Sequence, residues 1–211
     1  MLHNRRRLGL LVAICALSLC GCSHPAVAPT SYTHYVGSDK SFSCDAPAGW
    51  DVIAADTSTT SVGGAVFKTG DAKIDITTGS TADVLASDLL HSSSLVPTSL
   101  TGSKAEALQS QSKKKVSGIV KGYNEQNGLA FSCGYADAIC AEWTATGNFF
   151  GMGGPLHGYR ASLVNGSHTA TVVCQCADSE WPTLKPAFQH VLQSMAAPQE
   201  ANAPPLAGLG Q

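Results

Sequence analysis

Apolar and polar residues alternate with a period of two along much of the chain, the pattern of β-strands that bury one face. The alternation is clearest in residues 73–77. Asn127-Gly128 and Asn165-Gly166 predict tight hairpins, because a type I′ turn needs positive φ at both central residues. Further β-rich runs, which make strands the main element of the chain, cover residues 41–45, 50–53, 61–69, 116–123, 129–135, 142–146, 159–164 and 169–176.

Two segments change to the 3.6-residue period of an amphipathic helix. In the first, residues 80–93, Ser80 and Asp83 resemble a capping arrangement. The second has Thr183 as its expected N-cap, which places Pro186 in the first turn. It ends near residue 197, and its single apolar stripe consists of Leu184, Phe188, Val191, Leu192 and Met195.

Two other segments are less regular. Ser103 and Glu106 form a second capping-box pattern, but the segment that follows to residue 115 has few apolar residues, so a helix and a loop both remain open. Residues 147–158 contain five glycines whose spacing fits neither a dinucleotide fingerprint nor a phosphate loop. We expect this segment to be a flexible loop.

Strands, a helix, more strands and a closing helix predict an α+β fold, an antiparallel sheet with helices packed on its faces. Residues 41–197 are enough for one such domain. Residues 22–40, rich in Pro, Ala, Ser and Thr, are predicted to be a flexible tether. Residues 198–211 have no core to join and are predicted to be a disordered tail.

The N-terminus has the layout of a secretory signal: Arg5, Arg6 and Arg7 precede an apolar run over residues 8–19. That run of 12 residues is shorter than the roughly 20 that a transmembrane helix needs. Leu19-Cys20-Gly21-Cys22 then resembles the lipobox of bacterial lipoproteins, although Cys20 stands where Ala, Ser or Thr is usual. An ordinary signal peptide, with Cys22 free or disulfide-bonded, is the alternative.

The lipobox resemblance implies that residues 1–21 are removed and that Cys22 is acylated and holds the protein to a lipid bilayer. An aspartate directly after the acylated cysteine would resemble an inner-membrane retention signal, but this position is Ser23. The resemblance therefore favours a location in the cell envelope, at the periplasmic face of the outer membrane. Beyond residue 21, 10 basic residues face 15 acidic ones, a net charge of −5. An acidic chain gains nothing from phosphate backbones, so nucleic acid is not an expected partner.

Five cysteines follow Cys22, and an oxidising compartment favours disulfides among them. Cys133 and Cys140 are close enough in sequence for a hairpin bridge. Cys44 with either Cys174 or Cys176 is the second candidate pair. Because the number is odd, one thiol remains without an intramolecular partner.

The alternative chemistry for these residues is a soft-metal site for Cu or Zn at Cys174 and Cys176, with His168 and His190 near in sequence. The C-x-C spacing is a weak signal, because structural zinc sites normally pair two C-x₂₋₄-C clusters. The chain has no G-x-S-x-G, H-E-x-x-H or C-x-x-C motif, so we predict no catalytic residue, no cofactor and no enzymatic activity.

Residues 42–50 (FSCDAPAGW) and residues 188–195 (FQHVLQSM) resemble the first strand and turn and the last helix of PsbP-like proteins, which include bacterial lipoproteins of the LpqN type. The resemblance covers about residues 41–196. It implies an α-β-α sandwich and a non-catalytic role in binding or assembly. We therefore expect a membrane-anchored module for an envelope protein or envelope component, with the thiol or metal-binding protein as the alternative.

Overall fold

The computed structural model describes residues 25–54, 63–80, 103–146 and 154–198 of the chain. The predicted acylation site Cys22, the helix predicted after Ser80, residues 147–153 and the tail beyond residue 198 lie outside these ranges. Neither helix in the described ranges is long and apolar enough to cross a membrane.

One large antiparallel sheet organises the domain. A small hairpin precedes it, formed by β1 (Tyr32–Val36) and β2 (Ser43–Pro47). The strands of the large sheet are β3 (Asp51–Ala54), β4 (Gly64–Thr69), β5 (Ala72–Ser80), β6 (Asn124–Glu125), β7 (Leu129–Ala130), β8 (Asp137–Ala145), β9 (Leu156–Asn165) and β10 (His168–Ala177). They are arranged in the order β3-β4-β5-β10-β9-β8-β6, and β7 also pairs with β8.

One helix packs on each face of the sheet. Helix α1 (Lys104–Ile119) lies on β8 and β9, where Ala105 and Leu108 pack against Ile139 and Val164. A short 3₁₀ turn leads into helix α2 (Trp181–Ser194), which covers the opposite face together with the β1–β2 hairpin. We call these the α1 face and the α2 face. The predicted α+β sandwich is therefore confirmed.

The α2 face contains the main hydrophobic core. Because side chains alternate across a strand, every second residue of the central strands points to α2. The predicted helix stripe is buried as expected, and its five members pack against strand residues that include Phe67, Ile74, Ala161 and Cys174. The helix itself begins at Trp181 instead of after Thr183, so Pro186 lies in the second turn.

The segment after Ser103, for which the sequence allowed either a helix or a loop, is helix α1. Ser103 is the N-cap, and its Oγ accepts a hydrogen bond from the backbone N of Glu106 at 3.2 Å. The Ser103 hydroxyl also donates to Asp137 at 2.6 Å, which fixes the start of the helix on β8. The strand predicted over residues 116–123 is wrong, because the helix continues through Ile119, residues 120–123 form a turn, and the next strand begins at Asn124.

The predicted tether at residues 22–40 is wrong where it overlaps β1. Tyr32 stacks on His190 with ring centroids 3.7 Å apart, and Tyr35 packs edge-on against Phe67 at 5.2 Å. Farther upstream, the indole Nε1 of Trp50 donates to the carbonyl of Val27 at 3.0 Å. These contacts attach the segment to the domain, which therefore begins well before residue 41.

The two predicted hairpins have different outcomes. Asn165 pairs with His168 between β9 and β10, so this hairpin is confirmed. The turn is not the predicted type I′, because it is centred on Gly166 and Ser167 and only Gly166 has a positive φ, at +59°. The hairpin at Asn127-Gly128 is wrong, because β6 and β7 each pair with β8 and not with each other. The predicted loop over residues 147–158 is also shorter than expected, since β9 begins at Leu156.

Candidate functional site

A buried ion pair joins the α1 face of the sheet to β6. Arg160 on β9 and Glu125 on β6 are 2% and 7% exposed. The Arg160 guanidinium donates from Nε at 3.0 Å and from Nη2 at 2.6 Å to Glu125 Oε2. The hydroxyl of Tyr123 also donates to this carboxylate. Burial, and then this hydrogen bond, raise the pKa of Tyr123, so its hydroxyl keeps the proton that it donates.

Helix α1 completes the network through one side chain. The Gln109 amide donates to Glu125 at 2.9 Å and to the carbonyl of Arg160 at 3.1 Å, and its oxygen accepts from Ser162 at 2.6 Å. Arg160 Nη2 donates in return to the Gln109 carbonyl at 3.0 Å. Polar contacts as well as apolar packing therefore fix α1 on the sheet.

A cavity of about 190 Å³ lies beside this network, between the last turn of α1 and the sheet. We call it the α1 cavity. Its apolar side is formed by Val116, Val120 and Val173. The remaining wall residues carry polar groups, and they are Lys73, Asp75, Thr77, Tyr123, Trp143, Arg160 and Gln175.

Strand register explains why a depression forms here. Trp143, Gly158, Gln175 and Lys73 lie in one row across β8, β9, β10 and β5. Gly158 has no side chain, and a Cβ at this position would be 2.8 Å from Cζ2 of the Trp143 ring. The indole therefore lies over Gly158, next to the position of Gln175.

Three wall residues have buried polar atoms without a hydrogen-bond partner. These atoms are Trp143 Nε1, Arg160 Nη1, and both Nε2 and Oε1 of Gln175. They account for four of the six such side-chain atoms found among the described residues. Buried polar groups are normally paired, and an unpaired one costs about 1–3 kcal/mol. Their concentration around one cavity identifies it as the candidate binding site.

A second polar cluster lies on the α2 face. His157 stacks on Trp181 with centroids 4.0 Å apart, its Nδ1 is 2.9 Å from Asp178, and its Nε2 is 2.9 Å from Glu142. Lys185 donates to the other oxygen of Glu142 at 3.1 Å. Both ring nitrogens of His157 therefore face carboxylates, and the cluster is a network of side chains that contact one another.

This cluster predicts a pH effect on stability. Burial alone would raise the pKa of Glu142, but hydrogen bonds from His157 and Lys185 lower it below its usual value. The contribution of ionised Glu142 to the free energy of unfolding is therefore fully present above the unfolded pKa of about 4.3. It is lost as the pH falls through the lowered pKa of the folded state. Urea unfolding measures the free energy of unfolding at pH 5 and at pH 3. From pH 5 to pH 3 this free energy should fall less for Glu142→Gln than for the unchanged chain.

Glu106→Gln is the matched control, since Glu106 is an exposed residue in the first turn of α1. It should leave the difference between the two pH values nearly unchanged. An equal effect of the two substitutions would show that the contacts of Glu142 do not stabilise the fold.

The predicted disulfides are absent from the structure, in which all five cysteines from Cys44 to Cys176 are free thiols. Cys140 lies opposite Leu129 and Ala161, and not opposite Cys133. Cys174 pairs in register with Ile74 and Tyr159 in the main core. The predicted bridges are therefore absent from the structure, and for Cys133 with Cys140 the reason is strand register, which gives Cys140 other neighbours.

The alternative metal site is also contradicted by position. His168 is six residues from Cys174 on the same strand, about 20 Å away at 3.4 Å per residue, so the two cannot share an ion. Burial also raises the pKa of Cys176 to about 12 and that of Cys174 well above its usual value, which disfavours the thiolates that bind metals. No metal-ligating cluster occurs in the described part of the chain.

These thiols should therefore be inert in the folded protein. Burial raises the pKa values of Cys44 and Cys140 to about 12, as it does for Cys176. With iodoacetamide at pH 8 and no reductant, we expect little alkylation of Cys44, Cys140, Cys174 and Cys176 in the native state and full alkylation in denaturant. Peptide mass spectrometry measures each site, and a peptide linked through Cys133 and Cys140 would contradict the structure.

The architecture defines an α+β sandwich with the PsbP-like fold. Among solved structures, the chain is similar to the solution structure of cyanobacterial PsbP (CyanoP) from Synechocystis, with a TM-score of 0.53 and 18% identity over 86% of this chain and 98% of that chain. It also matches LpqN of Mycobacterium tuberculosis, described as involved in cell envelope biogenesis, with a TM-score of 0.48 and 16% identity over 79% and 90% of the two chains. No family model and no curated protein matches the sequence.

Proposed function

We propose that the protein is a non-catalytic lipoprotein of the bacterial cell envelope whose domain binds its partner at the α1 cavity. The observation that carries the proposal is the group of buried, unpartnered polar atoms on Trp143, Arg160 and Gln175. Unpaired polar atoms around the cavity lower the stability of the fold. A bound partner that supplies hydrogen bonds to them would remove this cost.

The chemistry of the cavity favours binding over catalysis. Its ionisable side chains are engaged with one another, Arg160 with Glu125 and Lys73 with Asp75. The Tyr123 hydroxyl keeps its proton and donates it to Glu125. Neither an activated nucleophile nor a free base therefore faces this cavity from the described residues.

The proposed anchor is the acylated Cys22, and the proposed location is the periplasmic face of the outer membrane. The lipobox-like residues 19–22 support the anchor, and Ser23 supports the location. A single acyl chain binds a bilayer only marginally, whereas the two or three chains of a lipoprotein hold it stably.

Metabolic labelling with a palmitate analogue tests the anchor. We expect the label on the unchanged protein and on Cys20→Ala, but not on Cys22→Ala. The Cys20 variant is the matched control, because it changes the neighbouring cysteine and keeps the proposed acceptor. Undiminished labelling of Cys22→Ala would overturn the lipoprotein proposal.

Photo-crosslinking in intact cells tests whether the α1 cavity is the binding site. A photoreactive phenylalanine analogue at Val116, in the cavity wall, should yield a crosslinked product. The same analogue at Ile119, 81% exposed on the same helix, is the control and should not yield that product. If neither position gave a product, or if both gave the same product, the cavity would not be the binding site.

A further inference from the structure

We infer that the ligand of the α1 cavity is a small uncharged molecule bound through an amide group, such as an acetamido group. This inference rests on the proposed function, because it assigns a chemical class to the partner of the same cavity. Three properties of the wall support it: its hydrogen-bonding groups, its charge balance and its apolar side.

The unpartnered atoms match the two ends of an amide. Trp143 Nε1 and Arg160 Nη1 can only donate, so each requires an acceptor such as a carbonyl oxygen. Gln175 has both a free amide NH₂ and a free carbonyl oxygen, so it can pair with an N–H and a C=O at once. A ligand amide supplies both groups in one plane. Because the four atoms are buried, side chains of the cavity wall have to move before a ligand contacts them.

The charges at the cavity argue against an ionic ligand. Arg160 is already neutralised by Glu125 at 2.6 Å, and Lys73 Nζ lies 3.5 Å from Asp75. An anion would meet these carboxylates, and a cation would meet the guanidinium and the ammonium. Because each positive group has a negative partner, an uncharged polar ligand is the one that the wall accommodates without breaking a pair.

The apolar side accounts for the rest of the ligand. Val116, in the last turn of α1, and Val120, directly after the helix, face Val173 on β10. These side chains can contact a methyl group or a sugar ring but offer it no hydrogen bond. The cavity volume of about 190 Å³ limits the ligand to a small molecule or to the end group of a larger one.

The test uses the purified protein and two amide probes from different sources. One is N-acetylglucosamine, and the other is N-acetylalanine methylamide. Glucose, which lacks the amide, and acetate, which is charged, are the controls. Binding is measured through the NMR shift of the Trp143 indole N–H, assigned with Trp143→Phe. We expect saturable shifts with at least one amide probe, and none with glucose or acetate.

Gln175→Leu tests the role of the unpartnered amide. The loss of both hydrogen bonds from Gln175 to the ligand should weaken amide binding at least about tenfold. The substitution replaces an unpaired buried polar group by an apolar one, so thermal unfolding should show an equally or more stable protein. Gln193→Leu on the exposed side of α2 is the matched control and should bind as the unchanged protein does.

Each outcome decides between the alternatives. Binding of the sugar probe alone or of the peptide probe alone identifies the source of the amide and supports the inference. Absence of binding by both amides, stronger binding of acetate, or full affinity in Gln175→Leu overturns it. Crosslinking at Val116 in cells without amide binding would overturn the ligand class alone, whereas failure of both experiments would also overturn the proposed function.

Discussion

Replacing Glu125 with glutamine should lower the free energy of unfolding by about 3–5 kcal/mol, because removal of one partner leaves the other charge buried and uncompensated. Arg160 is 2% exposed, and its Nη2 donates to the Gln109 carbonyl of α1, so the guanidinium stays buried when its partner is removed. Urea unfolding followed by circular dichroism measures the effect.

An exposed ion pair supplies the control for this substitution. Asp45→Asn removes a carboxylate that is 40% exposed and lies 3.3 Å from His190 and 3.7 Å from His34. Exposed pairs contribute about 0–1 kcal/mol, so this variant should be nearly as stable as the unchanged protein. Equal losses in the two variants would show that water reaches the Arg160–Glu125 pair.

The double variant Glu125→Leu/Arg160→Met separates the pair from its two members. Removing both charges leaves no buried ion without a partner, so the double variant should be more stable than Glu125→Gln. A double variant less stable than the single one would show that the pair stabilises the fold beyond mutual neutralisation.

The sandwich could be predicted because its strands and its last helix carry strong local patterns. Residues 73–77 alternate strictly, and the stripe that includes Phe188 has a clear helical period. Helix α1 could not be predicted in the same way, because it buries few side chains and depends on polar contacts such as Ser103 with Asp137, 34 residues away. β1 was missed because its anchoring contacts, such as Tyr32 with His190, are also non-local.

The candidate site was less predictable than the fold. Cys174 and Cys176 are the conspicuous residues of their strand, but they face α2, whereas Gln175 between them faces the α1 cavity. The arginine inside the apolar run at residues 159–164 was the one local signal, since a charge on a buried strand requires a partner. Its partner Glu125 depends on strand register, which the sequence does not reveal.

The row of residues under the cavity makes a second large effect expected. Gly158→Ala should lower the free energy of unfolding by about 3 kcal/mol, near the upper end for an overpacked core. The new Cβ would lie 1.9 Å from the backbone oxygen of Cys174 and 2.8 Å from the Trp143 ring. The ring can rotate, but the carbonyl belongs to the adjacent strand β10, so the β9–β10 ladder has to move.

Gly118→Ala is the same substitution in a different environment. Gly118 lies in the last turn of α1, and nothing is within 4 Å of its notional Cβ. Alanine restricts the unfolded chain and favours the helix, so this variant should be more stable by up to about 1 kcal/mol. Opposite signs in urea unfolding are therefore expected for the two alanines. If Gly158→Ala were as stable as Gly118→Ala, Trp143 could not lie over Gly158, and the α1 cavity would have a different floor.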